Sequence, residues 1–168
     1  GFDVPPEMEE LIEPCLAGGK VLYVNGDPED DIHPGEETIS EGPRWSWVSE
    51  TFNDGTPGVV HLVKFDISDT TGVTSPWKLA FSSWRLGAPL APGLYDAAQR
   101  YPFEEESHPG IMVFGEYAGC DEIEGWFEIF ELETDVSTEP PGLVRFTASF
   151  EQHCYGRDPA LRGCIHFE

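Results

Sequence analysis

Along most of this chain apolar side chains recur at every second position, the spacing of a strand with one buried face. Over residues 59–67, His61, Val63, Phe65 and Ile67 share one face, and Val60, Leu62, Lys64 and Asp66 the other. Trp77, Leu79 and Phe81 alternate with Lys78, Ala80 and Ser82, and 125–133 is a β-rich run, GWFEIFELE. The longest alternation sets Val144, Phe146, Ala148, Phe150, Gln152 and Cys154 against Arg145, Thr147, Ser149, Glu151 and His153. Ile165 and Phe167 point one way in a last strand, and a first strand is expected over 20–25.

Turn chemistry separates these runs: Asn53-Asp54-Gly55, Pro92-Gly93, Pro109-Gly110 and Pro140-Pro141-Gly142. Short strands with such punctuation predict an all-β fold, an antiparallel sandwich or barrel of about eight or nine strands. Residues 1–19 differ. Pro5 and Pro6 open a stretch, 7–13, that reads as two helical turns ended by Pro14, and Gly18-Gly19 breaks the chain before the first strand. The expected organisation is a short N-terminal arm, 1–19, and a single β domain, 20–168. No repeat of fixed period and no βαβ alternation is present.

Composition changes this picture in three ways. Nine basic residues against 32 acidic ones give a net charge of −23, which repels phosphate and anionic lipid and so argues against nucleic acid as a partner. Eleven Phe, five Trp and five Tyr supply a core despite that charge. No run of about eighteen apolar residues exists, so no membrane-inserted helix is expected. The polar, acidic start at Gly1, without an apolar leader segment, reads as a mature stretch whose leader has been removed.

The four cysteines, Cys15, Cys120, Cys154 and Cys164, show no C-x-x-C or other zinc spacing. Two disulfides in an oxidising compartment are the better reading, placing the chain outside the cell, on its surface or in a periplasm. Of the three possible connectivities we favour Cys120–Cys154 with Cys15–Cys164, the second tying the arm to the last strand.

Two clusters carry candidate chemistry. Asp27, Glu29, Asp30 and Asp31 put four carboxylates within five residues, either a solvated loop or a site for calcium, which takes carboxylate oxygens. The spacing is not that of an EF-hand. Trp45 and Trp47 share a strand face, where they either stack on sugar rings or fill the core. Trp84, in a loop between Ser83 and Arg85, is the tryptophan expected in solvent. Arg100 is read as a structural ion-pair partner and Glu104-Glu105-Glu106 as a charged loop. Catalysis finds no motif: there is no G-x-S-x-G, H-E-x-x-H or phosphate-binding glycine loop.

The stretches Ser75-Pro76-Trp77-Lys78-Leu79-Ala80-Phe81, Ala88-Pro89-Leu90-Ala91-Pro92-Gly93-Leu94-Tyr95, Arg100-Tyr101-Pro102-Phe103, Gly119-Cys120 and FEQHC followed by PAL-x-G-x-I resemble an uncharacterised β-rich module. It recurs in secreted and surface proteins of bacteria, among adhesive domains. The resemblance runs loosely from Lys20 to Glu168. It implies that the module's own cysteine pair falls on Cys120 and Cys154, with Cys15 and Cys164 as additions. The loop after Gly26 departs from the module's pattern, and no activity is carried over.

The expected function is therefore a non-catalytic extracellular module that binds a glycan, a surface polymer or a protein, with calcium assisting. The alternatives are a structural or assembly domain of a surface protein, or a hydrolase of an extracellular polymer.

Overall fold

The computed structural model describes residues 13–71, 77–115 and 118–168. Among them lie ten strands: β1 (Val21–Gly26), β2 (Glu37–Glu41), β3 (Trp45–Phe52), β4 (Leu62–Asp69), β5 (Trp77–Ser82), β6 (Gly93–Arg100), β7 (Gly110–Gly115), β8 (Ile123–Asp135), β9 (Gly142–Cys154) and β10 (Leu161–Phe167). They form one sheet in the order β2-β1-β10-β9-β8-β6-β7-β5-β4-β3. Every neighbouring pair is antiparallel except β6 and β7, which run parallel over Gln99↔Gly110 and Arg100↔Ile111.

The sheet curls until strands far apart in that order meet face to face. Phe81 on β5 lies 5.2 Å from Phe127 on β8 and 5.5 Å from Phe146 on β9. Phe65 on β4 lies 5.6 Å from Phe146 and 5.8 Å from Phe167 on β10. These rings, all on the alternating positions, fill the interior of a nearly closed barrel whose unpaired edges are β2 and β3. The all-β class follows from the alternation as expected.

The strand count is higher than eight or nine because two kinds of strand lack the signal. On β2 only Ser40 is buried, so no apolar face marks it. On β6 the register shifts between Tyr95 and Ala98, with Ala97 at φ 53°, a bulge that interrupts the period of two. Val144, expected on the buried face of β9, is exposed, while Phe146, Ala148, Phe150, Gln152 and Cys154 are buried.

Val113 is paired with Leu79 of β5, but the short parallel pairing of β6 and β7 leaves the other side of its backbone without a strand. Gln152, reaching across from β9, replaces that strand. Its Oε1 accepts from Val113 N at 2.8 Å and its Nε2 donates to Val113 O at 2.9 Å. A polar residue in the middle of an apolar face is thereby accounted for.

Both disulfides form as favoured, Cys15–Cys164 with Cα atoms 6.2 Å apart and Cys120–Cys154 at 5.8 Å. Most of the helical turns expected over 7–13 lies outside the described residues. From Glu13 the chain runs as a 3-10 helix through Pro14 to Ala17. Within that 3-10 segment Pro14 is accommodated, since a helical turn tolerates near its start a residue without an N–H. Cys15 packs with Val21 and Cys164 in a small cluster of its own, flanked by Tyr23 and Phe130.

Candidate functional site

The carboxylates at 27–31 do not converge. Asp27 accepts from Ala160 N through Oδ2 and from Arg162 Nη1 through Oδ1, both at 2.9 Å. The Ala160 amide, ahead of the Arg162 guanidinium, holds its carboxyl below the usual range. Asp30 is buried and turns back on its own loop, its Oδ2 accepting from Ile32 N at 3.1 Å and His33 N at 2.7 Å. Burial pushes its carboxyl up, against the pull of those two amides. Asp31 is bonded to Arg157, and Glu29 is exposed. Among the described residues no three acidic, His or Cys side chains gather as metal ligands would. The arginines that separate these acids sit beyond Cys154, over 120 residues along the chain, so nothing near the acidic run announced them.

The tryptophans divide. Trp45 and Trp47 are half-buried against the core, Trp47 with ring centroids 6.1 Å from Phe65 and 6.4 Å from Phe167. Trp84 is 44% exposed. It opens a 3-10 turn, Trp84–Leu86, pinned at both ends. Trp84 N donates to Ser82 Oγ at 3.1 Å, and Ser83 Oγ donates to Ala88 O at 2.7 Å. From β6 to β7 the connecting loop is tied on by Ser107 N donating to Arg85 O at 3.0 Å.

Between that turn and that loop lies a cavity of about 310 Å³, walled by Phe52, Leu62, Trp84, Arg85, Tyr101 and Glu104. His61 stands edge-on to Trp84 at 5.7 Å. Glu104 was expected in a charged loop, yet it is only 5% exposed. Ser82 donates to its carboxyl, but its Oε2 has no partner among the described residues. Burial raises the carboxyl above its ordinary value, with its own backbone amide first, then Arg85 and Ser82, opposing. Tyr101 is raised in turn, by burial first and then by the charge of Glu104. A carboxyl left short of a donor in an aromatic-walled cleft is a feature of binding sites rather than of cores. Sequence offered half of this: Trp84 followed from its loop position, whereas Glu104, the first of three consecutive acids, carried nothing to single it out from the other two.

A larger cavity, about 660 Å³, opens between the N-terminal 3-10 turn and the strands β8 to β10. On its floor Thr147 Oγ1 donates to Glu131 Oε2 at 2.9 Å and lies 2.7 Å from His166 Nδ1, while His166 Nε2 is 3.2 Å from Glu168 Oε2. Hydroxyl, imidazole and carboxylate in a row suggest a nucleophile relay. Two features argue against it. Glu131 competes for the single hydroxyl proton, and Thr147 sits mid-ladder, paired with both Glu131 and His166, where neighbouring amides are committed to strands and not to an oxyanion. These groups satisfy one another.

A third acidic network links strands at the surface. Glu151 accepts from Arg162 Nε at 2.8 Å and lies 3.0 Å from His153 Nε2. His153 Nδ1 is 2.8 Å from Arg157 O. Burial alone would lower His153, but Glu151 and that carbonyl outweigh it and raise it.

No family model matches the chain, and no curated protein or solved structure shows significant similarity to it.

Proposed function

We propose that this chain is a non-catalytic extracellular binding module that holds a sugar ring in the cleft of Trp84, Tyr101 and Glu104. One observation carries the reading: an indole 44% exposed beside a 95%-buried carboxyl that has an oxygen without a partner among the described residues. The apolar face of a pyranose stacks on an exposed indole, burying about 25 cal/mol for each Å² removed from water. Polar groups at the rim then fix its orientation. Two disulfides, and no helix long and apolar enough to cross a membrane among the described residues, support placing the module in an oxidising, extracellular setting. The reading assigns no role to calcium, because the acids at 27–31 are held apart by Arg157, Arg162 and backbone amides.

The test is a glycan array followed by titration calorimetry with wild type and Trp84→Ala, each with calcium and with EDTA. Binding should weaken at least about tenfold in W84A and be unchanged by EDTA. Absence of binding to any glycan at millimolar concentration defeats the proposal.

A further inference from the structure

The charges around the Trp84 cleft narrow the class of sugar. Arg85 is the one cationic side chain among the described residues lining it, and Arg85 Nη1 lies 2.9 Å from Glu106 Oε1. Its charge is thus met by an exposed carboxylate. His61, edge-on to Trp84, has its Nε2 3.7 Å from Asp54 Oδ2. Glu104 is held in place by its neighbours. A Cβ added to Gly110 would stand 2.9 Å from both Cδ and Oε1 of Glu104, so the carboxyl rests flat on bare backbone. Glu104, Glu106 and Asp54 against Arg85 leave the surroundings acidic, within a chain of net charge −23.

Building on the glycan reading, we propose that the cleft takes a sugar bearing free amino groups, of the glucosamine type, with its ammonium held by Glu104 and the faces of Trp84 and Tyr101. The partnerless Oε2 is itself buried. A neutral hydroxyl gains from such an oxygen only by touching it, whereas a positive charge is drawn to it across several ångströms of low-dielectric wall. Aromatic faces add a cation–π attraction that a hydroxyl lacks. Uronic or sulfated sugars meet the opposite: three carboxylates nearby and a repelling field from the whole molecule.

Calorimetry with a β-linked glucosamine tetramer, its N-acetylated counterpart and a glucose tetramer tests this, against wild type, W84A, E104Q, R85Q and G110A. The glucosamine tetramer should bind wild type at least about tenfold more tightly than the two neutral oligomers. Glu104→Gln should erase that preference, Gly110→Ala should weaken it by displacing the carboxyl, and Arg85→Gln should strengthen it. R85Q changes an exposed side chain and so keeps the test decisive even if E104Q or G110A fails to fold. Equal binding of all three oligomers overturns the amino-sugar proposal while leaving the glycan reading intact; binding of none overturns both. Glucosamine binding that is undiminished in both E104Q and W84A, and lost only with added salt, also overturns it, since that marks diffuse attraction to the acidic surface.

Discussion

At Glu104 the chain buries an acid where Ser82 supplies a donor and Oε2 has none among the described residues. Its folded pKa is raised above the ordinary 4.5, so the folded state holds the proton more tightly than the unfolded chain does. Stability from this group is then present at low pH and lost as pH rises through the raised value. Asp27 and Glu151 are lowered and act in the opposite sense, losing their contribution as pH falls through their lowered values. Urea unfolding between roughly pH 2 and pH 7 should separate the two, Glu104 acting above its ordinary 4.5 and Asp27 and Glu151 below theirs. Relative to wild type, Glu104→Gln should gain stability steadily as pH rises, while Glu151→Gln should lose it. A constant difference between wild type and E104Q across that range would contradict the assignment. Residue by residue, the exposure of Trp84 was legible from its loop, whereas the shared face of Trp45 and Trp47 left stacking and core packing both open. The burial of Glu104 was not legible, since three consecutive acids read alike until the loop is folded against Gly110.

Among the elements, β9 does two jobs. Its alternating face supplies Phe146 and Phe150 to the core, and Gln152 completes the backbone of β7 where β6 falls short. Gln152→Leu keeps the volume but strands one N–H and one C=O of Val113 in the interior. Each unmet group costs about 1–3 kcal/mol, so the variant should lose about 2–6 kcal/mol in chemical denaturation. A loss below about 0.5 kcal/mol would mean that water or a backbone shift satisfies Val113 instead. The strands with clean alternation, β4, β5, β9 and β10, could be read directly. Those with a polar face or a bulge, β2 and β6, could not, because periodicity reports burial and these strands bury little or break step.

For the molecule as a whole, the two disulfides are unequal in what they join. Cys120–Cys154 links the segment before β8 to the end of β9, while Cys15–Cys164 fastens the N-terminal 3-10 turn to β10. Loop entropy sets upper values of about 4 and about 5 kcal/mol respectively. The main aromatic core is separate from the small cluster around Cys15. Replacing Cys15 and Cys164 by Ser should therefore speed amide exchange at Val21 and Tyr23 while leaving that of Phe81, Phe127 and Phe150 slow. Uniform loss of protection across both groups would show that the arm and the barrel fold as one unit.

The sequence by itself determined the all-β class, the strong strands and the exposed tryptophan. Each of these depends on local periodicity or on bulk composition. Only the tertiary structure decided which charges are isolated. Arg157 and Arg162 come from the far end of the chain to divide the acids at 27–31, while Glu104, at the head of an acidic run, is buried and lines a cleft with Trp84 and Tyr101. Spacing along the chain fixes which face a side chain takes. Only the curling of the sheet brings distant donors to some carboxylates and withholds them from others.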